Sequence, residues 1–481
     1  MTTDDKTTAR GHGHRDIEHH EAEGLERSHL GAGQITALAL ASQTPAVALA
    51  TVPFLLVVTA GNGSWLGALM AAVATACVGV AVIVFARRYV VTGSIYSYMS
   101  HVFGPWARHL AGTTLLLGYV TLLAGVLLLT GAYAGSFLIS LGVSSELSPA
   151  LMTVLTSAAL GVATVLAYRG LDACVSWAVI LTILTLPLVV VITVASAVHS
   201  GLHLGSQMSL ADSTPSGIFQ GVAAATVFLV AFESSAALAA ETKDPKRNVP
   251  KAVMSIPVVL GASYLLATLL QVPGLLGAAD AINAGASPAA ALATEAGLGK
   301  PVATATDLVL ALANLASIIA FINYGSRFVA TLATDGLLPE RIAAVHPRFK
   351  SPGRAIITLA LLSQTCLLVL VWAYPDHLLT EVFPALSTLT VYMWVVPWIL
   401  ICLGALVLAR RRAVSPVAVG IAAAAGAVGM AWIYVNGLVN RPASPVDAMP
   451  YVFLILTAIG FVTFSVIDRS RSQTTAGEVG H

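Results

Sequence analysis

The side chain best placed to do chemistry is Glu233. It stands in Val230-Ala231-Phe232-Glu233-Ser234-Ser235, behind a run of apolar residues that reaches back to Ile218. An acid near the centre of a helix in hydrocarbon costs about 2.5–3.5 kcal/mol on insertion scales, and such groups mark ion and proton paths by default. The other acids lie in tails, in loops or near the ends of apolar segments. A carboxyl group so placed suits proton sensing or gating; the structural alternative is a protonated acid that hydrogen-bonds a neighbouring helix. The second candidate is Ala41-Ser42-Gln43-Thr44-Pro45-Ala46-Val47. Proline removes a backbone donor and clashes with the preceding turn. Thr44-Pro45 also fits an N-cap followed by proline at the first helical position. The segment reads as two half-helices whose backbone at Ser42–Thr44 faces a cavity, since unpaired backbone survives at membrane depth only there. A simple proline kink is the alternative.

The elements that must position these groups are long and apolar. Hydrophobic residues make up 57% of the 481 and charged residues 10%, far below the roughly 25% charged of soluble domains. Twelve apolar segments follow: 34–60, 65–86, 110–140, 149–167, 173–198, 218–240, 252–277, 301–334, 354–374, 379–409, 414–438 and 449–467. Several exceed the roughly 20 residues that a bilayer requires, so they tilt or run past the membrane. Of the 24 Lys and Arg, only Lys300 and Arg441 fall in the odd-numbered loops. Cytoplasmic loops carry the Lys/Arg excess, so both termini are expected in the cytoplasm of a multi-pass cell-membrane protein. Trp65, Trp106, Trp372, Tyr374 and Tyr451 sit near segment ends as interfacial anchors. Residues 93–109 are too polar to span and read as an interfacial segment on the cytoplasmic side.

Residues 1–32 read as a disordered cytoplasmic tail, 33–468 as one membrane domain and 469–481 as a second cytoplasmic tail. The run Gly11 to His20 carries four histidines and reads as a solvated tail or as a metal- or pH-responsive one. Each of the four cysteines stands alone in an apolar segment, with no metal or disulfide spacing. Net charge is +1, which gives no field for nucleic acid. No His-Glu-x-x-His or Gly-x-Ser-x-Gly motif and no paired intramembrane carboxylates occur, so the chain does not read as an enzyme. Nothing specifies a cofactor, a metal or an oligomeric state.

Three motifs then carry a resemblance. Phe232-Glu233-Ser234 with Ala239-Ala240-Glu241-Thr242-Lys243-Asp244-Pro245-Lys246-Arg247-Asn248-Val249-Pro250-Lys251 resembles the sixth helix and following loop of amino acid–polyamine–organocation permeases. Thr92-Gly93-Ser94-Ile95-Tyr96-Ser97-Tyr98 with Phe103-Gly104-Pro105 resembles the loop after their second helix. Arg327, Asp335-Gly336-Leu337-Leu338-Pro339, His346-Pro347-Arg348 and Ser351-Pro352 resemble the loop after their eighth. The resemblance implies an all-α integral membrane protein of twelve transmembrane helices. Helices 1–5 (33–198) and 6–10 (218–409) would be inverted repeats with discontinuous helices 1 and 6, and residues 414–468 two extra helices. It implies a secondary active transporter of amino acids or related amines, by proton symport or exchange. By position the substrate would meet Ser42, Gln43, Thr44, Pro45 and Ala46 of helix 1, and Val227, Val230, Ala231 and Phe232 of helix 6. Ala111, Gly112 and Tyr119 of helix 3, Phe321 of helix 8, and Phe383 and Thr390 of helix 10 would complete the pocket, with Glu233 coupling protons or gating.

The chain departs from the family pattern twice. Ser-Gln-Thr-Pro replaces the Gly-Ser-Gly element that many members use for a substrate carboxylate, leaving capture to the half-helix N-terminus. Helix 5 carries no lysine, so a lysine proton switch does not transfer. A transporter-like nutrient sensor or a channel is the rival reading. Few pocket candidates are charged, which favours a small or neutral substrate.

Overall fold

Long apolar segments with few charges have one way to satisfy their backbone out of water, and that is helix. The computed structural model describes residues 28–210, 213–283, 286–411 and 416–478; the histidine-rich run lies outside them. In chain order the helices are α1 (Ala32–Ser42), α2 (Pro45–Ala60), α3 (Ser64–Ala86), α4 (Ile95–Met99), α5 (Pro105–Ser140) and α6 (Pro149–Tyr168). Then come α7 (Leu171–Ser200), α8 (Leu204–Met208), α9 (Pro215–Thr226), α10 (Pro245–Ser255), α11 (Gly261–Gly277) and α12 (Ala279–Asn283). The last six are α13 (Pro288–Glu295), α14 (Lys300–Thr334), α15 (Gly353–Ala373), α16 (Phe383–Arg410), α17 (Pro416–Val439) and α18 (Met449–Glu478). No strand occurs among the described residues; an isolated bridge joins Leu30 and Thr242.

Among those residues, eleven helical runs are long and apolar enough to cross a membrane. The first, Ala32–Ala86, holds 55 residues, ~80 Å of helix at 1.5 Å per residue against roughly 30 Å of hydrocarbon. It is broken at Gln43–Thr44 and again at Gly61–Gly63. α5, α14 and α16 form the centre: α5 packs on both of the others, α14 also on α7, and α16 also on α17. α6, α17 and α18 present mostly exposed apolar faces, as helices at a lipid boundary would.

Prolines inside these helices leave carbonyls without their amide four residues on. The fold answers two of them with glutamines. Pro53 strands the carbonyl of Leu49, and Gln271 donates to it at 2.9 Å while also donating to Thr193 Oγ1 at 2.7 Å. Pro273 strands the carbonyl of Leu269, and Gln207 donates to it at 3.0 Å.

The structure refines four expectations. Residues 28–30, assigned to the tail, lie against 240–243: the amides of His29 and Leu30 donate to Glu241 O, and Lys243 N to Leu30 O, each at 2.9 Å. Residues 469–478, assigned to the second tail, continue α18 as far as Glu478. Within 93–109, read as an interfacial segment, residues 95–99 form the buried helix α4. Arg327, counted among loop cations, lies inside α14 and is 2% exposed. In each case a specific partner in the fold outweighs local polarity.

Gln271→Leu leaves the Leu49 carbonyl unpaired in the core and should cost about 1–3 kcal/mol, read as a lower Tm in detergent. Adding Pro53→Ala returns an amide to that carbonyl, so the double variant should regain much of the loss; an unchanged Tm in the single variant would refute the pairing.

Candidate functional site

Two helical runs are interrupted at residues whose backbone is left-handed. In the first, Thr44 takes φ 42 and ψ 66, a conformation that costs a non-glycine residue about 1–2 kcal/mol. Thr44 holds the N-cap position of α2 as expected, but its side chain makes no capping bond. The amides of Gln43 and Thr44 are held by Leu40 O (3.2 Å) and Ala41 O (3.1 Å). Ser317 Oγ donates to the carbonyl of Ser42 at 2.6 Å. In the second run, Val230 is extended and Ala231 takes φ 62. Tyr264 donates its hydroxyl to Phe228 O at 3.1 Å, and a 3-10 stretch, Phe232–Glu241, continues the chain.

Between the breaks lies a cavity of about 50 Å³, room for a few water molecules. Ser42, Gln43 and Thr44 line it from the first break; Val227, Phe228 and Val230 line it from the second. α5 contributes Thr121, Leu122, Gly125, Val126 and Leu129. α14 adds Asn314, Ser317 and Phe321, and α16 adds Phe383, Ser387 and Thr390. No charged side chain is among them. Asn314 is 1% exposed, and its Nδ2 has no hydrogen-bond partner among the described residues. A buried donor left open costs the desolvation that a ligand's acceptor would recover.

Eight expected residues thus meet at one cavity: Ser42, Gln43, Thr44, Val227, Val230, Phe321, Phe383 and Thr390. Pro45, Ala46, Ala231 and Phe232 are buried beside the breaks without lining it. Ala111 and Gly112 lie elsewhere, with Gly112 facing the Tyr96 ring. The α5 wall begins at Thr121, nine residues further on than Gly112, or ~13 Å along the axis. Sequence reasoning passed over Asn314, Ser317 and Ser387. Their signal was periodicity: 314, 317 and 321 fall at i, i+3 and i+7, and 383, 387 and 390 at i, i+4 and i+7, each set on one helix face.

Glu233 stands behind the second break rather than in the cavity wall. It is 1% exposed. Trp394 and Trp398, four apart and so on one face of α16, donate Nε1–H to its two oxygens at 2.8 and 3.0 Å. Gly118 admits the first indole, since a Cβ there would come within 2.5 Å of the ring. Tyr119 packs edge-on to Trp394 and shares a 2.6 Å hydrogen bond with Ser234. An indole N–H only donates, so both clamp bonds suit oxygens that accept.

Glu233 is not alone in being buried. Glu241, 1% exposed, makes a bidentate pair with Arg327, with Nη2 donating to Oε1 at 2.9 Å and Nε to Oε2. Arg327 Nη1 donates to the carbonyl and side-chain oxygens of Asn323 at 3.1 Å. This pair ties the end of the 3-10 stretch to α14. Asp307 accepts from Ser136 and Ser287, both at 2.6 Å.

Residues 33–464 match a family described as amino acid permease; the chain belongs to that family. An uncharacterized transporter of Mycobacterium tuberculosis is 29% identical over 62% of this chain and 64% of its own length. The branched-chain amino acid permease BcaP of Bacillus subtilis is 25% identical over 61% and 65%. The D-serine/D-alanine/glycine transporter of Escherichia coli is 26% identical over 66% and 67%. The match thus spans a little under two thirds of the first of these relatives' length. These relatives are transporters and permeases, not enzymes. Among solved structures, a substrate-bound, outward-open Na+-coupled sialic acid symporter superposes with a TM-score of 0.58 at 14% identity, over 90% of this chain and 92% of its own. That likeness is one of fold.

Asn314→Leu keeps the bulk and removes the amide. It should weaken binding of a ligand that accepts from this amide about tenfold, the upper range for one hydrogen bond, while leaving Tm unchanged; thermal shifts of the purified protein with and without added amino acids measure both.

Proposed function

We propose that this amino acid permease is a secondary active transporter that carries small α-amino acids with uncharged side chains across the cell membrane. The observation that carries the reading is the cavity itself: about 50 Å³, set between two interrupted helices, with no charged side chain in its wall. A zwitterion needs partners for both its charges. Here the positive end of α2 and the negative end of α1 meet at one break, as in transporter sites framed by half-helices. Hydroxyls and amides of Ser42, Gln43, Asn314 and Thr390 complete the polar lining. A diamine or dicarboxylate would bring an extra charge with no counter-charge beside it. The names of two relatives, for branched-chain amino acids and for D-serine, D-alanine and glycine, agree with an uncharged side chain.

In this reading the run Ala32–Ala86 supplies two crossings, giving twelve, with both termini in the cytoplasm, an orientation that the cation distribution supports. Helices 1–5 and 6–10 form inverted repeats, and the first-repeat bundle rocks against the remainder. Phe321 and Phe383 close over the substrate. The Glu241–Arg327 pair and residues 28–30 hold the cytoplasmic side shut. Glu233 senses protons: when a proton arrives, one carboxyl oxygen becomes an O–H facing an indole N–H, and the hold of α16 on the second break weakens. Proton symport follows if that step is tied to substrate, and exchange if it is not.

Proteoliposomes holding the purified protein should accumulate glycine, alanine or serine and not putrescine or glutamate. Binding without uptake or counterflow would make the protein a sensor instead. Glu233→Gln should insert normally and flatten the pH dependence of uptake, and Trp394→Phe should shift it in part. An unchanged profile in both removes Glu233 from coupling.

A further inference from the structure

A second cavity, of about 430 Å³, adjoins the first. Val227, Phe383 and Ser387 line both, so the two are separated by one layer of side chains. The larger is walled by α2, α9, α16 and α17 and closed by residues 442–446. Its volume falls within the roughly 300–1,000 Å³ of small-molecule sites, whereas the first lies far below that range.

The chemistry of its wall is specific. No charged side chain lines it. Unlike the smaller cavity, it includes neither residue of the two left-handed breaks, so no opposed half-helix ends are present to hold the charges of a zwitterion. Most of the wall is apolar; among its polar side chains, Asn436, Tyr392 and Gln220 come from three different helices. Asn436 is 2% exposed; its Oδ1 accepts from Asn440 at 2.8 Å, while no partner is found for its Nδ2 among the described residues. Tyr392 Oη lies over Gly437, where a Cβ would overlap it. Gln220 supplies a third amide.

We propose that this cavity is a second binding site, for an uncharged amphipathic molecule with an apolar body and a carbonyl or hydroxyl head. The head accepts from Asn436 Nδ2 and pairs with Tyr392 Oη, and the body lies along Phe54, Val58 and Val391. An occupant braces Phe383 and Val227, so it slows passage through the smaller cavity without entering it. Its existence is independent of the transport reading; only the slowing rests on that reading.

The test uses the full chain in lipid nanodiscs and three probes with one ring and one linker: 3-phenylpropanamide, 3-phenylpropanoate and 3-phenylpropylammonium. Radiolabelled 3-phenylpropanamide should bind saturably at one per chain, and the two charged probes at least tenfold more weakly. Asn436→Leu and Tyr392→Phe should each weaken the amide's binding at least fivefold. Thr388→Val, a milder change in the same wall, should weaken it about twofold and keeps the test open if Asn436→Leu fails to fold. Asn314→Leu should leave it unchanged. In proteoliposomes the amide should slow alanine uptake at least fivefold while the affinity for alanine stays constant. Non-saturable uptake equal to that of empty nanodiscs, equal binding of all three probes, or displacement by alanine would overturn the site. Saturable binding with no effect on uptake would leave the site and overturn the bracing.

Discussion

In hydrocarbon a broken helix must find a new partner for each backbone group that it frees, and the arrangement of this protein follows from how that is done. Ser317 serves the carbonyl of Ser42, Tyr264 that of Phe228, Gln271 that of Leu49 and Gln207 that of Leu269. Each donor comes from a different element than its acceptor, so each repair is also a tertiary tie. The breaks at Thr44 and Ala231 are held by α14 and α11, and α5 and α16 close the space between them. A cavity then forms where the repairs stop. It is small because few groups remain unserved, and it is uncharged because neutral hydroxyls and amides suffice for backbone.

How much of this could be read in the sequence depended on whether the cause was local. The break at Thr44 was legible, because Pro45 carries no amide and announces it. The break at Ala231 was not, since the residues around it include neither glycine nor proline. It is imposed from outside, by the Ser234–Tyr119 bond, the two indoles on Glu233 and the Tyr264 hydroxyl on Phe228. Apolar length revealed the helices, eleven of whose runs among the described residues are long and apolar enough to cross a membrane. It gave no rotation or axial register between helices, and the resemblance put the α5 wall at Ala111, Gly112 and Tyr119, whereas the cavity is lined by Thr121, Leu122, Gly125, Val126 and Leu129. Arg327 looked like a loop cation for the same reason: its partner, Glu241, lies 86 residues away in sequence.

The two cavities divide the polar work differently. The smaller draws its polarity from chain breaks, which are costly and therefore few. The larger draws it from side chains on intact helices, which need no backbone strain. A site of the first kind can hold opposite charges on one small molecule, because helix ends of opposite sign meet there. A site of the second kind offers only neutral donors and acceptors, and a charge buried against them would lack compensation.

The three buried acids among the described residues differ in the partners that surround them, and this difference singles out Glu233 more sharply than depth does. Glu241 faces a guanidinium that is always charged, and removing either member of such a buried pair costs about 3–5 kcal/mol. That arrangement is a fixed lock. Asp307 faces two serine hydroxyls, and a hydroxyl can turn from donor to acceptor. Gain of a proton there is absorbed by rotation and goes no further. Glu233 faces two indoles, which can only donate and whose rings are packed in place by Tyr119 and Phe232. A proton on Glu233 cannot be absorbed by rotation of its partners, so the strain passes to α16 or to the break at Ala231. Of the three, Glu233 is the carboxyl group whose partners, Trp394 and Trp398, stand on α16, a helix that also lines the cavity.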